Sequence, residues 1–178
     1  MRLFLAIDLP SAVKIKLAGQ LRELKADYKY LRWLPEKSYH ATLLFFGEIT
    51  KPDKIIKGVE EIVYDIPSTH LYSQSAGIFV KSKITLYLEL RRDKNIEKLV
   101  EEVRERLNMK SNKKFVLHLT LARYKLPSKQ QYFVLKKRLA AIPIDIDFAV
   151  SKIYLYESIL DHGKPLYKKV ATFHLAPR

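Results

Sequence analysis

Apolar and polar positions along this chain fall into stretches of two alternating periods. Residues 2–8 form an apolar run of strand length, closed by Asp8 and Pro10, and predict a first strand. Pro10-Ser11 then opens a helix on which Val13, Leu17, Leu21 and Leu24 recur at helical spacing. Residues 31–34 predict a short strand, and 40–47 a clear second one, rich in Leu and Phe. Thr50-Lys51-Pro52-Asp53 reads as a helix start, with Ile55, Val59, Ile62 and Ile66 as its buried stripe and Pro67 as its stop. Residues 71–81 and 84–91 predict two strands joined by a short turn. Asp93 begins another helix, with Ile96, Val100, Val103 and Leu107 facing inward, and 115–124 is the next strand. Ser128-Lys129-Gln130-Gln131 has the form of a capping box. Tyr132, Leu135, Leu139 and Ile142 line the helix that follows, and Pro143 closes it. Residues 144–157 and 166–175 predict the last strands, with Gly163-Lys164-Pro165 as the turn between them.

This order repeats. Strand, helix, His-bearing strand, helix, strand occurs in 1–81 and again in 84–157, and the strand 166–175 closes the chain. Leu3 aligns near Leu86, Ser11 near Lys94, His40 on His118 and Thr50 near Ser128, with offsets that drift from 83 to 78. The expected fold class is α+β. A single domain over 1–178 would be bilobal, its two pseudo-repeated strand–helix lobes carrying mainly antiparallel sheets and facing a central cleft. A ligand site between lobes is a common placement.

Composition sets the sign of that ligand. The 178 residues hold 33 Lys+Arg against 19 Asp+Glu, a formal net charge of +14. Such a field favours polyanions: nucleic acid, a nucleotide phosphate or an acidic membrane surface. The short basic clusters at 110–114, 136–138 and 164–169 are spread along the sequence, so the charge belongs to the folded body and not to a tail. The chain has no cysteine, which excludes a disulfide scaffold, a thiolate zinc site and a Cys nucleophile. No apolar run has the length of a membrane-spanning helix. Residues 1–8 are too short before Asp8 for a signal peptide, so the cytoplasm is the expected compartment. The lack of Cys, the scarcity of Asn and Gln and the abundance of Lys and Glu also fit a thermophile's protein.

The two halves share a motif. His40-Ala41-Thr42-Leu43 and His118-Leu119-Thr120-Leu121 stand at matching points of the repeat, each at the start of an apolar strand. Residues i and i+2 of a strand point to one face, so each His has a Thr beside it. A lone His-x-Thr carries no information, but two in register with an internal repeat do. The alternative is a pair of strand histidines that satisfy local hydrogen bonds; His70, His162 and His174 have no such context. Imidazole titrates near neutrality, so one ring can take a proton from a nucleophile while the other gives one to a leaving oxygen. Thr hydroxyls can hold the oxygens of a group between them. With a basic surface, that group is anionic, and a phosphodiester fits. With neither Cys nor a His-Glu-x-x-His motif, acid–base catalysis with no metal and no cofactor is the simpler expectation.

At these residues the sequence resembles the two-histidine (2H) phosphoesterase superfamily and, within it, the RNA 2′,3′-cyclic phosphodiesterases, also called 2′-5′ RNA ligases. The likeness covers nearly the whole chain: the opening Arg2-Leu3-Phe4-Leu5-Ala6-Ile7-Asp8-Leu9-Pro10, Trp33-Leu34-Pro35 ahead of His40, Phe45-Phe46-Gly47-Glu48 after it, His118-Leu119-Thr120-Leu121-Ala122-Arg123, and Tyr154-Leu155-Tyr156-Glu157-Ser158 followed by Gly163 and Tyr167. Leu117 stands where the family often has Pro, and Gly77-Ile78-Phe79-Val80 where it often has Gly-x-Phe-Pro. The resemblance implies hydrolysis of a 2′,3′-cyclic phosphate on RNA to a 2′-phosphate, with 2′-5′ ligation as a related activity. It implies that His40 gives a proton to the leaving 3′-oxygen and that His118 activates water. Thr42, Thr120 and Arg123 would bind the phosphate, although strand parity puts Arg123 opposite His118 unless a bulge intervenes. Tyr39, Phe46, Phe79, Tyr124 and Tyr132 are candidates for stacking on bases or for plain core packing; Tyr124 shares the parity of His118 and Thr120. The partner implied is RNA with cyclic-phosphate ends, tRNA fragments among the sources, met by a monomer away from membranes. Two other readings stay open: a phosphodiesterase of small cyclic phosphates such as ADP-ribose 1″,2″-cyclic phosphate, and a non-catalytic RNA-binding module.

Overall fold

The computed structural model describes residues 1–111, 114–162 and 164–177. β1 (Arg2–Asp8) is buried from Leu3 to Ile7 on both faces, which places it inside a sheet. α1 (Ser11–Gln20) and α2 (Arg22–Asp27) divide the first helical stripe, and Leu17, Leu21 and Leu24 are fully buried. The two-residue β2 (Arg32–Trp33) leads to β3 (His40–Glu48). α3 (Asp53–Val63) starts where expected, but Pro52 is its cap residue and no side chain caps it. β4 (Thr69–Val80) and β5 (Lys83–Leu90) form the next hairpin. α4 (Lys94–Arg106) is capped by Asp93, whose carboxylate accepts from the Ile96 amide at 2.9 Å. β6 (His118–Lys125) begins at the histidine itself, and α5 (Lys129–Ala141) opens on a reciprocal Ser128–Gln131 capping box.

The stretch 144–157 is not one strand. It is β7 (Asp147–Val150) and then β8 (Lys152–Asp161), divided at Ser151. β7 pairs with β4 and β8 with β1, so the chain changes sides of the molecule within one residue. β9 (Lys164–His174) returns along β8. Asp161 already pairs with Lys164, so Lys164 and Pro165 belong to the strand and not to a turn; Gly163 lies outside the described residues.

The main path of the sheet runs β7-β4-β5-β6-β3-β1-β8-β9, with β2 attached to β6, and its ladders are antiparallel. Its middle is thin: β3 and β6 are joined at Ala41↔Leu119 alone. Two lobes therefore meet at a seam. The helices bury their apolar faces against one side of both lobes in a shared core. The other side carries a small cluster of Phe4, Ala6 and Tyr156, with Tyr154 and Tyr167 against it.

The ladders of the two lobes correspond. Asp8↔His40, Ala6↔Thr42 and Phe4↔Phe45 on one side match Glu89↔His118, Tyr87↔Thr120 and Thr85↔Arg123 on the other. The β1 and β5 partners are 81 positions apart throughout, so Leu5, not Leu3, is the counterpart of Leu86. The fifth element of each sequence half changes sides: β4 follows the first half but pairs with β5, and β8 follows the second but pairs with β1.

Candidate active site

The seam brings the two motifs together. With Ala41 opposite Leu119 in antiparallel register, His40 faces Thr120 and Thr42 faces His118. The four side chains form the corners of a quadrilateral on one face. Its two histidines lie on the diagonal, with Cα atoms roughly 7–8 Å apart in a regular ladder. Ala41 and Leu119, pointing the other way, are completely buried. His40, Thr42, His118 and Thr120 are each half-buried, open to the cleft.

Both imidazoles are held the same way. His40 Nδ1 lies 2.8 Å from the Ser38 carbonyl, and His118 Nδ1 lies 2.7 Å from the Val116 carbonyl. A carbonyl only accepts, so each Nδ1 donates and carries its proton. That leaves Nε2 as the atom that gains and loses a proton on each ring. Aromatic rings flank both. Phe4 and Tyr167 lie 5.2 and 5.0 Å from the His40 ring, centroid to centroid. Phe79 and Tyr87 lie 5.1 and 5.7 Å from His118 and stack on each other at 3.9 Å. Gly77 makes that stack possible: a Cβ there would lie 2.6 Å from the Tyr87 hydroxyl oxygen.

The surroundings of His40 are asymmetric in charge. Burial pushes its pKa below the ordinary imidazole value; the hydrogen bond to Ser38 and the Asp8 carboxylate oppose this, while Lys14 and Arg123 add to it. Asp8 is itself paired with Lys14 at 2.7 Å. Burial and Asp8 together hold the Tyr156 hydroxyl firmly protonated.

Two expectations from strand parity are corrected. Both motif strands carry a bulge directly after the motif. Thr42 pairs with Ala6 and Leu44 with Leu5, so Leu43 is the extra residue; Thr120 pairs with Tyr87 and Ala122 with Leu86, so Leu121 is. Consecutive residues are then buried, Leu43-Leu44 and Leu121-Ala122, and the side chains that follow change face, on β3 as far as a second irregularity at Phe46. Arg123 thus joins the face of His118 and Thr120, exposed and close enough to act electrostatically on His40 and Tyr167. Tyr124 is carried away from it: it pairs with the buried Ile84 and packs edge-on to Tyr30 at 5.0 Å. Of the other candidate stackers, Tyr39 is a core residue with no exposure, while Phe79 lies against His118. Phe46 packs against the core, and Tyr132 lines a small apolar recess with Val80, Ile84 and Leu126.

Sequence reasoning misses Asp8, Glu89 and Tyr87, and strand parity puts Phe45 on the face away from His40, which the bulge at Leu43 reverses. The signal for the first two was the repeat itself, since Asp8 and Glu89 precede the motif strands at matching positions. Phe45 stands five residues after His40, as Arg123 does after His118, and is 70% exposed on the same face.

The chain is similar to known proteins in both sequence and fold. A family model described as the 2′-5′ RNA ligase superfamily matches residues 10–161. An RNA 2′,3′-cyclic phosphodiesterase of Thermotoga maritima is 29% identical over 177 residues, covering 94% of this chain and 92% of its own. One from Methanocaldococcus jannaschii is 27% identical, covering 96% of this chain and 98% of its own. Among solved structures, TT0787 of Thermus thermophilus superposes with a TM-score of 0.79 at 21% identity over 98% of each chain. E. coli LigT complexed with 3′-AMP superposes with a TM-score of 0.75 at 23% identity, over 98% of this chain and 97% of its own. These two share the fold. No described helix is long and apolar enough to cross a membrane.

Proposed function

This chain belongs to the 2′-5′ RNA ligase superfamily, and on that premise we propose that it opens the 2′,3′-cyclic phosphate at the end of an RNA, leaving a 2′-phosphate. The observation that carries the reading is the pair of histidines on one face of the seam, both with Nδ1 engaged by a carbonyl and Nε2 left for proton transfer. In the proposed step His118 Nε2 takes a proton from water, the water oxygen bonds to phosphorus, and the bond from phosphorus to O3′ breaks. His40 Nε2 gives its proton to O3′. Thr42 and Thr120 donate hydrogen bonds to the non-bridging oxygens, and Arg123 balances their charge. A 5′-hydroxyl in place of water would leave a 2′-5′ linkage through the same step. The RNA relatives and the basic surface favour an RNA end over a small cyclic phosphate.

One observation favours exchanging the two proton roles. Partial burial lowers the His40 pKa and so favours the neutral ring in the free protein, which suits a base. A bound phosphate anion works in the other direction and restores the charge a donor needs.

The test is incubation, with EDTA, of an oligonucleotide ending in a 2′,3′-cyclic phosphate, followed by identification of the new end. A 2′-phosphate is expected. Tight binding without turnover would give the binding-module reading instead. Either His→Ala change should cost at least ~10²-fold in turnover. A substrate with sulfur in place of O3′ assigns the roles, because its leaving group needs no proton. It should restore His40→Ala and not His118→Ala; the reverse pattern exchanges them.

A further inference from the structure

Beside His40, on the side away from His118's strand, lies a cavity of about 280 Å³ that the reaction leaves without a role. Asp8, Lys37, His40, Tyr156, Tyr167 and Lys169 are among the residues that line it. Its charge is set by how Asp8 is occupied. One carboxylate oxygen lies 2.7 Å from Lys14 Nζ, and Tyr156 also hydrogen-bonds to the carboxylate. The Lys14 ammonium in turn donates to the Lys37 carbonyl at 3.0 Å, which fixes the segment leading into His40. The single carboxylate is therefore matched by Lys14, and the ammonium groups of Lys37 and Lys169 are in excess. Lys169 is held over the Tyr154 ring at 4.1 Å, with the second Asp8 oxygen at 3.9 Å. Burial keeps the Tyr167 hydroxyl protonated and so able to donate, whereas the Tyr156 hydroxyl already donates to Asp8. A recess with surplus ammonium groups and a phenolic donor suits an oxyanion.

We propose that this cavity is a second phosphate subsite, which takes the 5′-phosphate of the nucleotide whose cyclic phosphate lies at the histidines. The proposal rests on the phosphodiesterase reading, in which His40 faces O3′ of that nucleotide. His40 lines both the cavity and the quadrilateral, so a group bound in the cavity is continuous with one at the reacting phosphorus. The substrate class narrows accordingly. Cyclic ends that carry a phosphate on the 5′ side are preferred over bare nucleoside 2′,3′-cyclic phosphates.

Two measurements test this. The first compares kcat/KM for adenosine 2′,3′-cyclic phosphate, the same compound with a 5′-phosphate, and the dinucleotide ApA with a cyclic end. The 5′-phosphate, as a monoester or within the chain, should raise kcat/KM roughly tenfold, the low end for a charge-assisted hydrogen bond. Lys169→Ala or Lys37→Ala should bring that ratio towards one, and Lys169→Arg should retain it. The larger rise of the two substrates tells whether a nucleotide end or an internal phosphate fills the site. The second measures calorimetrically the binding of adenosine 2′,5′-bisphosphate against adenosine 2′-monophosphate. Equal hydrolysis of all three substrates overturns the subsite and leaves the phosphodiesterase reading intact. No hydrolysis of any, with tighter binding of the bisphosphate that Lys169→Ala abolishes, overturns the reading and keeps the anion site.

Discussion

Two residues that touch no phosphate in the proposed step tune the charge of His40. Asp8 raises the His40 pKa and Lys14 lowers it, against a background of burial that lowers it most. Asp8→Asn should therefore move the limb of the kcat/KM profile that belongs to His40 to lower pH. Lys14→Met should move the same limb to higher pH. The whole profile should be bell-shaped, because one imidazole must be charged and the other neutral. A limb that stays in place in both variants belongs to another group. On the His118 side the control is steric. A methyl at Gly77 would press on a Tyr87 ring that is stacked on Phe79 and cannot swing away freely. Gly77→Ala should lower kcat by about tenfold or more, the order of loss that misplacement near a reacting group causes. The melting temperature should change little. An unchanged kcat would mean that the Tyr87–Phe79 pair does not hold His118.

At the scale of elements, caps and strand ends carry the local stability. Asp93 caps α4 through the Ile96 amide and accepts from the hydroxyl of Thr69 on β4, which is only 5% exposed. Asp93→Ala loses the cap and leaves a buried hydroxyl without its acceptor. Denaturant titration should show a loss of about 2 kcal/mol. The exposed capping box of Ser128 has no buried dependent, and Ser128→Ala should cost only about 1 kcal/mol. Equal losses would show that the Thr69 link adds nothing. Asp93 and Ser128 were both legible in the sequence, because caps are local and have chemical signatures. So were the strands and the two motifs, because period and residue type decide them. The bulges at Leu43 and Leu121 were not legible: each places one extra apolar residue in an apolar strand, where nothing in composition marks it. That one residue decides whether Arg123 or Tyr124 shares a face with His118. The break at Ser151 escaped for a similar reason. β7 and β8 both alternate apolar residues, and only their partners, β4 and β1, distinguish them.

The whole molecule interleaves its halves. β4 leaves the first half to pair with β5, and β8 leaves the second to pair with β1, so each lobe is completed by the other half of the chain. The lobes are bound together by these exchanges and by a common core under the helices, while the seam itself needs only Ala41↔Leu119. The seam can thus stay thin at the point where, in the proposed step, two histidines reach one phosphorus. Around it lies the field of 14 surplus positive charges. A single cyclic nucleotide offers that field one or two charges, whereas an RNA offers one at each step. Binding that releases counterions from several phosphates weakens with salt in proportion to their number, with a slope of about −0.7 per phosphate for a single strand. The expected outcome is a kcat/KM for a cyclic-ended oligonucleotide that falls steeply between low and physiological salt, with a much flatter dependence for the mononucleotide. The contrast should reside in KM and spare kcat, since distant phosphates are held equally in the ground and transition states. Equal slopes for the two substrates would assign the surface charge to something other than the RNA chain and leave the cleft alone to choose the substrate.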